Sequence, residues 1–139
     1  MADFLKALEL TLKEEGFYGN DKDDSGGETI WGIARKMNPH WGGWAIVDSN
    51  KNRANFPACL KSNNMLVGMR NEFYRVNFWL VAKGDEVINQ DVANDLFDKA
   101  VNTGVKQAII LCQRSLSIKE SGVMDKLTVS KLNESNPYV

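Results

Sequence analysis

Glu15 has the surroundings a carboxylic acid needs to act as a proton donor. Leu5, Leu8 and Leu12 recur at the three-and-four spacing of one helix face. Glu15 continues that stripe by a further step of three, so it is expected to project from the apolar side at the helix end. Partial burial disfavours its charged form, and the negative end of the helix dipole disfavours it further. Both effects raise the pKa, as proton donation near neutral pH requires. Glu14, on the weaker line of Asp3, Ala7 and Leu10, is expected on a more exposed face. Periodicity alone leaves a second reading open, in which Glu15 decorates a frayed helix end.

The chemistry depends on what faces that acid. Residues 19–29 read Gly-Asn-Asp-Lys-Asp-Asp-Ser-Gly-Gly-Glu-Thr, a turn dense in carboxylates and glycines. Asp21, Asp23, Ser25 and Gly26 fit the first half of a calcium loop of the EF-hand kind, but the closing Glu would fall at Gly32. A phosphate cradle fails too, because no Gly-Lys-Ser/Thr follows and the acidic groups repel phosphate. A pair of carboxylates remains, one on a helix end and one on a facing turn. That arrangement suits cleavage of a glycosidic bond, where one carboxyl protonates the leaving oxygen and the other supports water or the cation-like sugar.

The segments Glu15-Gly16-Phe17-Tyr18, Asp24-Ser25-Gly26-Gly27-Glu28-Thr29 and Gly32-Ile33 together resemble the signature of glycoside hydrolase family 108. That signature begins Glu-Gly-Gly-Tyr and continues to Asp-x-Gly-Gly-x-Thr-x-x-Gly-Ile. Downstream, Tyr74-Arg75-Val76-Asn77-Phe78-Trp79 is similar to the family's Tyr-x-x-x-Tyr-Trp segment. Residues 93–104, from Ala93 through Phe97-Asp98 and Ala100-Val101-Asn102 to Gly104, are similar to its Phe-Asp-x-Ala-Val-Asn-x-Gly block. Gln113 falls where the family carries a Leu-Gln pair. The resemblance implies a lysozyme-like N-acetylmuramidase of phage or bacterial origin, some relatives being known as secretion activators. It implies Glu15 as general acid, Asp24 as second carboxylate and Thr29 as the group positioning the attacking water. Two departures stand out. Phe17 replaces a glycine of the signature, and Glu120 to Thr128 is a degraded form of the family's Asp-Gly-x-x-Gly-x-x-Thr turn, with the sequence stopping at Val139 where relatives run on.

Tyr18, Trp41, Trp44 and Asn102 complete the expected substrate-binding set. Sugar rings present apolar C–H faces that stack on flat indoles. Trp41 and Trp44 are favoured for this over Trp31, which is expected to be packed, and Trp79 reads as core. Asp98 and Asn102 stand four apart on one helix face, either near the cleft or capping the turn at Gly104. His40 is the one histidine of the chain and has no partners at metal spacing. No metal or cofactor is expected. Cys59 and Cys112 are expected as reduced thiols, with Cys112 on a helix's inward stripe.

The elements that must hold these residues are mostly helical. Stripes run through Leu66, Met69, Phe73, Val76 and Leu80, through Val92 to Val101 closed by Gly104, through Val105 to Leu116, and through a short segment from Asp125 to Asn133. Gly16 is expected to end the first helix. A small hairpin or irregular β element is expected around Asp24 to Gly32, and a short helix from Gly32 to Met37. The fold class is thus mainly α with a small irregular β lobe near the N-terminus, and the resemblance implies that it is of the lysozyme-like α+β kind. A single domain over residues 1–139 is expected, with a catalytic lobe at 1–90 and a helical, peptidoglycan-binding-like lobe at 91–139.

The length of 139 residues fits one domain, and the 43% hydrophobic and 25% charged content excludes a disordered chain. A net charge of -1 gives no long-range attraction to nucleic acid or to an anionic membrane. No apolar run reaches the roughly 20 residues of a membrane span, and the N-terminus lacks the marks of a signal peptide. Synthesis in the cytoplasm is therefore expected, with peptidoglycan glycan strands reached through a holin or a dedicated export system. Two other functions compete: a non-catalytic cell-wall or secretion module, and a lytic transglycosylase. The joint presence of Glu15, Asp24 and Thr29 favours hydrolysis.

Overall fold

Phe4, Leu8, Thr11 and Glu15 follow one another at steps of four, three and four, and with Ala7 they define the inward face of α1 (Phe4–Glu15). The computed structural model describes residues 1–20 and 27–135. The leucine stripe is displaced from its expected place, since Leu5 is 58% exposed. Phe4 takes over its role, its ring packing 5.6 Å from that of Trp79 and 5.9 Å from that of Phe97. Glu15 lies on both lines and is half-buried, while Glu14 is exposed. Gly16, at φ +75°, ends the helix in the left-handed conformation that a glycine adopts without steric cost.

Three short antiparallel strands follow: β1 (Tyr18–Asn20), β2 (Glu28–Ile30) and β3 (Ile33–Ala34), in the order β1-β2-β3. Gly19 stands opposite Thr29, and Thr29 opposite Ala34. Between the paired Ile30 and Ile33, Trp31 and Gly32 both take positive φ, 49° and 83°, the geometry of a two-residue hairpin turn. This turn overturns the helix expected at Gly32–Met37, because it sends Ile33 and Ala34 back alongside β2. A tryptophan at positive φ costs on the order of 1–2 kcal/mol. Contacts hold it there: Trp31 donates its backbone N–H to the Phe17 carbonyl and packs 5.3 Å from the Phe17 ring, with the Arg70 guanidinium 4.7 Å above it.

The remaining elements among the described residues are α2 (Gly43–Ser49), 3₁₀ turns at Ala58–Ser62 and Gly84–Glu86, α3 (Asn64–Tyr74), α4 (Gln90–Thr103), α5 (Val105–Ser115) and α6 (Lys126–Glu134). A π turn over Arg75–Trp79 extends α3. It explains why Val76, 46% exposed, leaves the stripe expected to include it. The extra residue of a π turn rotates the inward face beyond Tyr74, so that Trp79 is buried instead. Trp79 donates its indole N–H to Asp85 at 2.8 Å.

Contacts divide the chain into two units, one of residues 1–11 and 74–139, the other of residues 12–73. The boundary expected at residues 90 and 91 falls inside the first of these. In the first unit Leu8, Trp79, Phe97, Ala100 and Ile109 are core residues. In the second, Ile30, Ile33, Trp44, Val47 and Leu66 are buried. No helix among the described residues is long and apolar enough to cross a membrane.

Asp125 caps α6, accepting hydrogen bonds from the Thr128 backbone N–H at 2.9 Å and hydroxyl at 2.6 Å. Asp125→Ala is expected to lower the urea midpoint of unfolding, because α6 loses the acceptor that caps its first turn. An unchanged midpoint would show that the cap contributes nothing.

Candidate active site

Glu15 is the last residue of α1, and the chain turns at Gly16 directly into β1. The step from Glu15 to Gly19 spans at most about 14 Å. Gly19 in turn faces Thr29 across the β1–β2 pair. Thr29 therefore belongs to the same unit and the same short stretch of folded chain as Glu15. Its two cross-strand partners, Gly19 and Ala34, are among the smallest residues available, and its hydroxyl oxygen lies 3.5 Å from where a Gly19 Cβ would stand. The Thr29 side chain thus rises above its neighbours on that face of the sheet. Asp24, the expected second carboxylate, lies outside the described residues, as do Asp21 and Asp23.

Among the described residues of this unit, Glu28 joins a network of four charged side chains. It is 8% exposed. Its carboxylate accepts hydrogen bonds from the Tyr18 hydroxyl at 2.6 Å and from Arg35 at 2.8 Å, and pairs with Lys51 at 2.9 Å. Arg35 also grips Asp48 with two hydrogen bonds of 2.8 Å, and Lys51 reaches Asp48 at 3.0 Å. Burial pushes the Glu28 carboxyl upward, but the hydrogen bonds from Tyr18, Lys51 and Arg35 outweigh it and hold the group below the usual carboxylate range. Hydrogen bonds from Arg35 hold Asp48 well below that range as well. Burial, and then the bond to Glu28, push the Tyr18 phenol up to about 12. Tyr18 stays protonated at neutral pH and spends its one O–H on Glu28, so toward a sugar it can only accept.

Of the expected aromatic platforms, Trp44 is 2% exposed, and its indole N–H donates to the Asn38 carbonyl at 2.8 Å. Arg35 lies over its ring at 5.1 Å and Trp41 packs edge-on at 5.4 Å, leaving little surface for a ligand to cover. Trp41 is half-buried and lies against Gly43, where a Cβ would stand 2.4 Å from the indole. Trp31 is buried, as expected. Asn102 is exposed and donates to Asp98 at 3.2 Å, and Asp98 also accepts from the Thr11 hydroxyl at 3.1 Å. These three belong to the other unit from Glu15 and Thr29. His40 is exposed, and among the described residues no three His, Cys, Asp or Glu side chains gather as a metal-binding group. Cys59 and Cys112 are free thiols, and burial pushes the Cys112 thiol up, away from the reactive thiolate.

The Glu28, Arg35, Asp48 and Lys51 network escapes sequence reasoning because its members come from strand, turn and helix end, with no shared period. Glu28 stands at a position the signature leaves unspecified, and α2, which brings Asp48, is too short and glycine-led to show a stripe.

A half-buried Glu15 thus ends α1, one glycine turn from the three-stranded sheet that carries Thr29. The profile of Glycosyl hydrolase 108 matches residues 8–104, and the chain belongs to that family of glycoside hydrolases. Among solved structures, it is similar to SagA of Brucella abortus, with a TM-score of 0.62 and 23% sequence identity over 94% of this chain and 68% of the SagA chain. That likeness establishes the lysozyme-like α+β fold. No curated protein matches the sequence.

Proposed function

We propose that this chain is an N-acetylmuramidase, hydrolysing the β-1,4 bond between N-acetylmuramic acid and N-acetylglucosamine in peptidoglycan. The observation that carries the reading is Glu15, half-buried at the very end of α1 and one glycine turn from the sheet that bears Thr29. In this reading Glu15 protonates the glycosidic oxygen as the bond to it breaks. Thr29, standing between Gly19 and Ala34, holds the water that attacks the anomeric carbon. Asp24 supplies the second carboxylate, taking the water's proton or steadying the cation-like sugar. The half-buried indole of Trp41, supported by the buried Trp44, offers the apolar surface on which a sugar ring stacks.

The test is digestion of purified peptidoglycan with mass spectrometry of the soluble products. Reducing N-acetylmuramic acid ends are expected. Reducing N-acetylglucosamine ends would overturn the bond assignment, and anhydro ends would make the enzyme a lytic transglycosylase. A folded chain that releases nothing would be a cell-wall or secretion module. Trp41→Leu is expected to raise KM for glycan fragments about three- to tenfold, the size of one stacking contact. A KM that stays at the wild-type value would remove Trp41 from the binding surface.

A further inference from the structure

We propose that Glu28 is a positioning residue of this site, fixing Thr29 through a closed polar network on the opposite face of β2. The proposal rests on the assignment of Thr29 as the group that holds the attacking water. Successive residues of a strand point to opposite faces, so Glu28 and Ile30 face one way and Thr29 the other. Among the described residues, the cross-strand partners of Thr29 are Gly19 and Ala34, and neither carries a side chain large enough to brace it. Its placement then depends on what holds the backbone of β2 from the opposite face.

Glu28 does that. One carboxylate, 8% exposed, receives Tyr18 from β1, Arg35 from just beyond β3 and Lys51 from just beyond α2. Arg35 and Lys51 are shared with Asp48 of α2, so two cations balance two carboxylates. A second fastening runs from the Arg35 backbone N–H to the Glu28 carbonyl at 2.9 Å. Every direction in which the start of β2 could shift thus breaks a charge-assisted hydrogen bond. Such a network specifies geometry more than it adds stability, because the desolvation of its charges offsets much of their attraction. Glu28 acts on the reaction through the strand, not by touching sugar.

The test is steady-state kinetics of the full chain on purified peptidoglycan, with Glu28→Gln, Thr29→Ala and the double variant. Glu28→Gln is expected to lower kcat about ten- to thirtyfold, as small misplacements of a reacting group do, with KM within about twofold of wild type. In the Thr29→Ala background the same substitution is expected to cost less than about twofold further, because the group it positions is already gone. Losses that multiply in the double variant, or a raised KM at unchanged kcat, overturn the positioning role. Should Glu28→Gln lose its cooperative unfolding transition, Lys51→Gln takes its place. That variant keeps Tyr18 and Arg35 on Glu28 and is expected to lower kcat a few-fold, again with no added loss on Thr29→Ala. A wild type that cleaves no glycan overturns the muramidase reading and this role with it. An active wild type with multiplying losses overturns the role alone.

Discussion

Glu15→Gln is expected to reduce the turnover of peptidoglycan by about three orders of magnitude while leaving the unfolding midpoint at its wild-type value. General acid catalysis by a positioned group contributes roughly 10²–10⁴ in rate, and the amide keeps the shape of the acid while removing its proton. In the proposed role, position is what makes the residue effective. Phe4, Leu8 and Thr11 set the inward line of α1, Glu15 ends that line half-buried, and Gly16 turns the chain away at once into β1. The same substitution at Glu14, exposed one residue earlier, is the natural control and is expected to change turnover less than about twofold. Equal losses at the two positions would mean that the helix end, and not the acid, matters.

The second large effect lies in the other unit. Gln113 is fully buried, and its amide holds the loop between α5 and α6 from within. Its two N–H groups serve Ser121, the Val123 carbonyl and Thr128 at 3.0 Å each, and its carbonyl accepts from the Gly122 backbone N–H at 3.0 Å. Thr128 passes the chain on to Asp125, so the interior of α5 is linked to the cap of α6. Gln113→Leu keeps the volume but leaves the Gly122 N–H and the Val123 carbonyl without this partner. It is expected to cost about 3 kcal/mol, or roughly 10 °C in the thermal midpoint. A loss below about 1 kcal/mol would show that water or a shifted loop replaces the amide. Its effect on kcat in the folded protein is expected to be small, which separates it from Glu15→Gln.

Much of this was legible in the sequence, and the failures have physical causes. Gly16 and Gly104 end helices where expected, because a positive φ suits glycine at either place. The stripes of α4 and α5 survive intact, since a regular helix preserves a period of 3.6 residues. The stripe through α3 fails after Phe73, because a π turn adds a residue that no periodicity announces. The helix expected after Gly32 gives way to β3 because Trp31 accepts a strained φ, stabilised by Phe17 and Arg70, far from it in sequence or outside its own element. Phe17, where the family signature has glycine, is thus part of what holds the hairpin turn. Glu15 stands out in the sequence by its place on the helix stripe and Thr29 only through the resemblance to the family signature, whereas the network around Glu28 exists only once Arg35, Asp48 and Lys51 are brought together in space.

In the proposed mechanism Glu15 drives hydrolysis at the anomeric carbon of N-acetylmuramic acid. Digestion of peptidoglycan in ¹⁸O-labelled water, followed by mass spectrometry of the products, tests it most directly. A hydrolysing muramidase places one labelled oxygen on the reducing N-acetylmuramic acid end, in the wild type and not in Glu15→Gln. Label on N-acetylglucosamine, unlabelled anhydro ends, or equal labelling by the two proteins would contradict it.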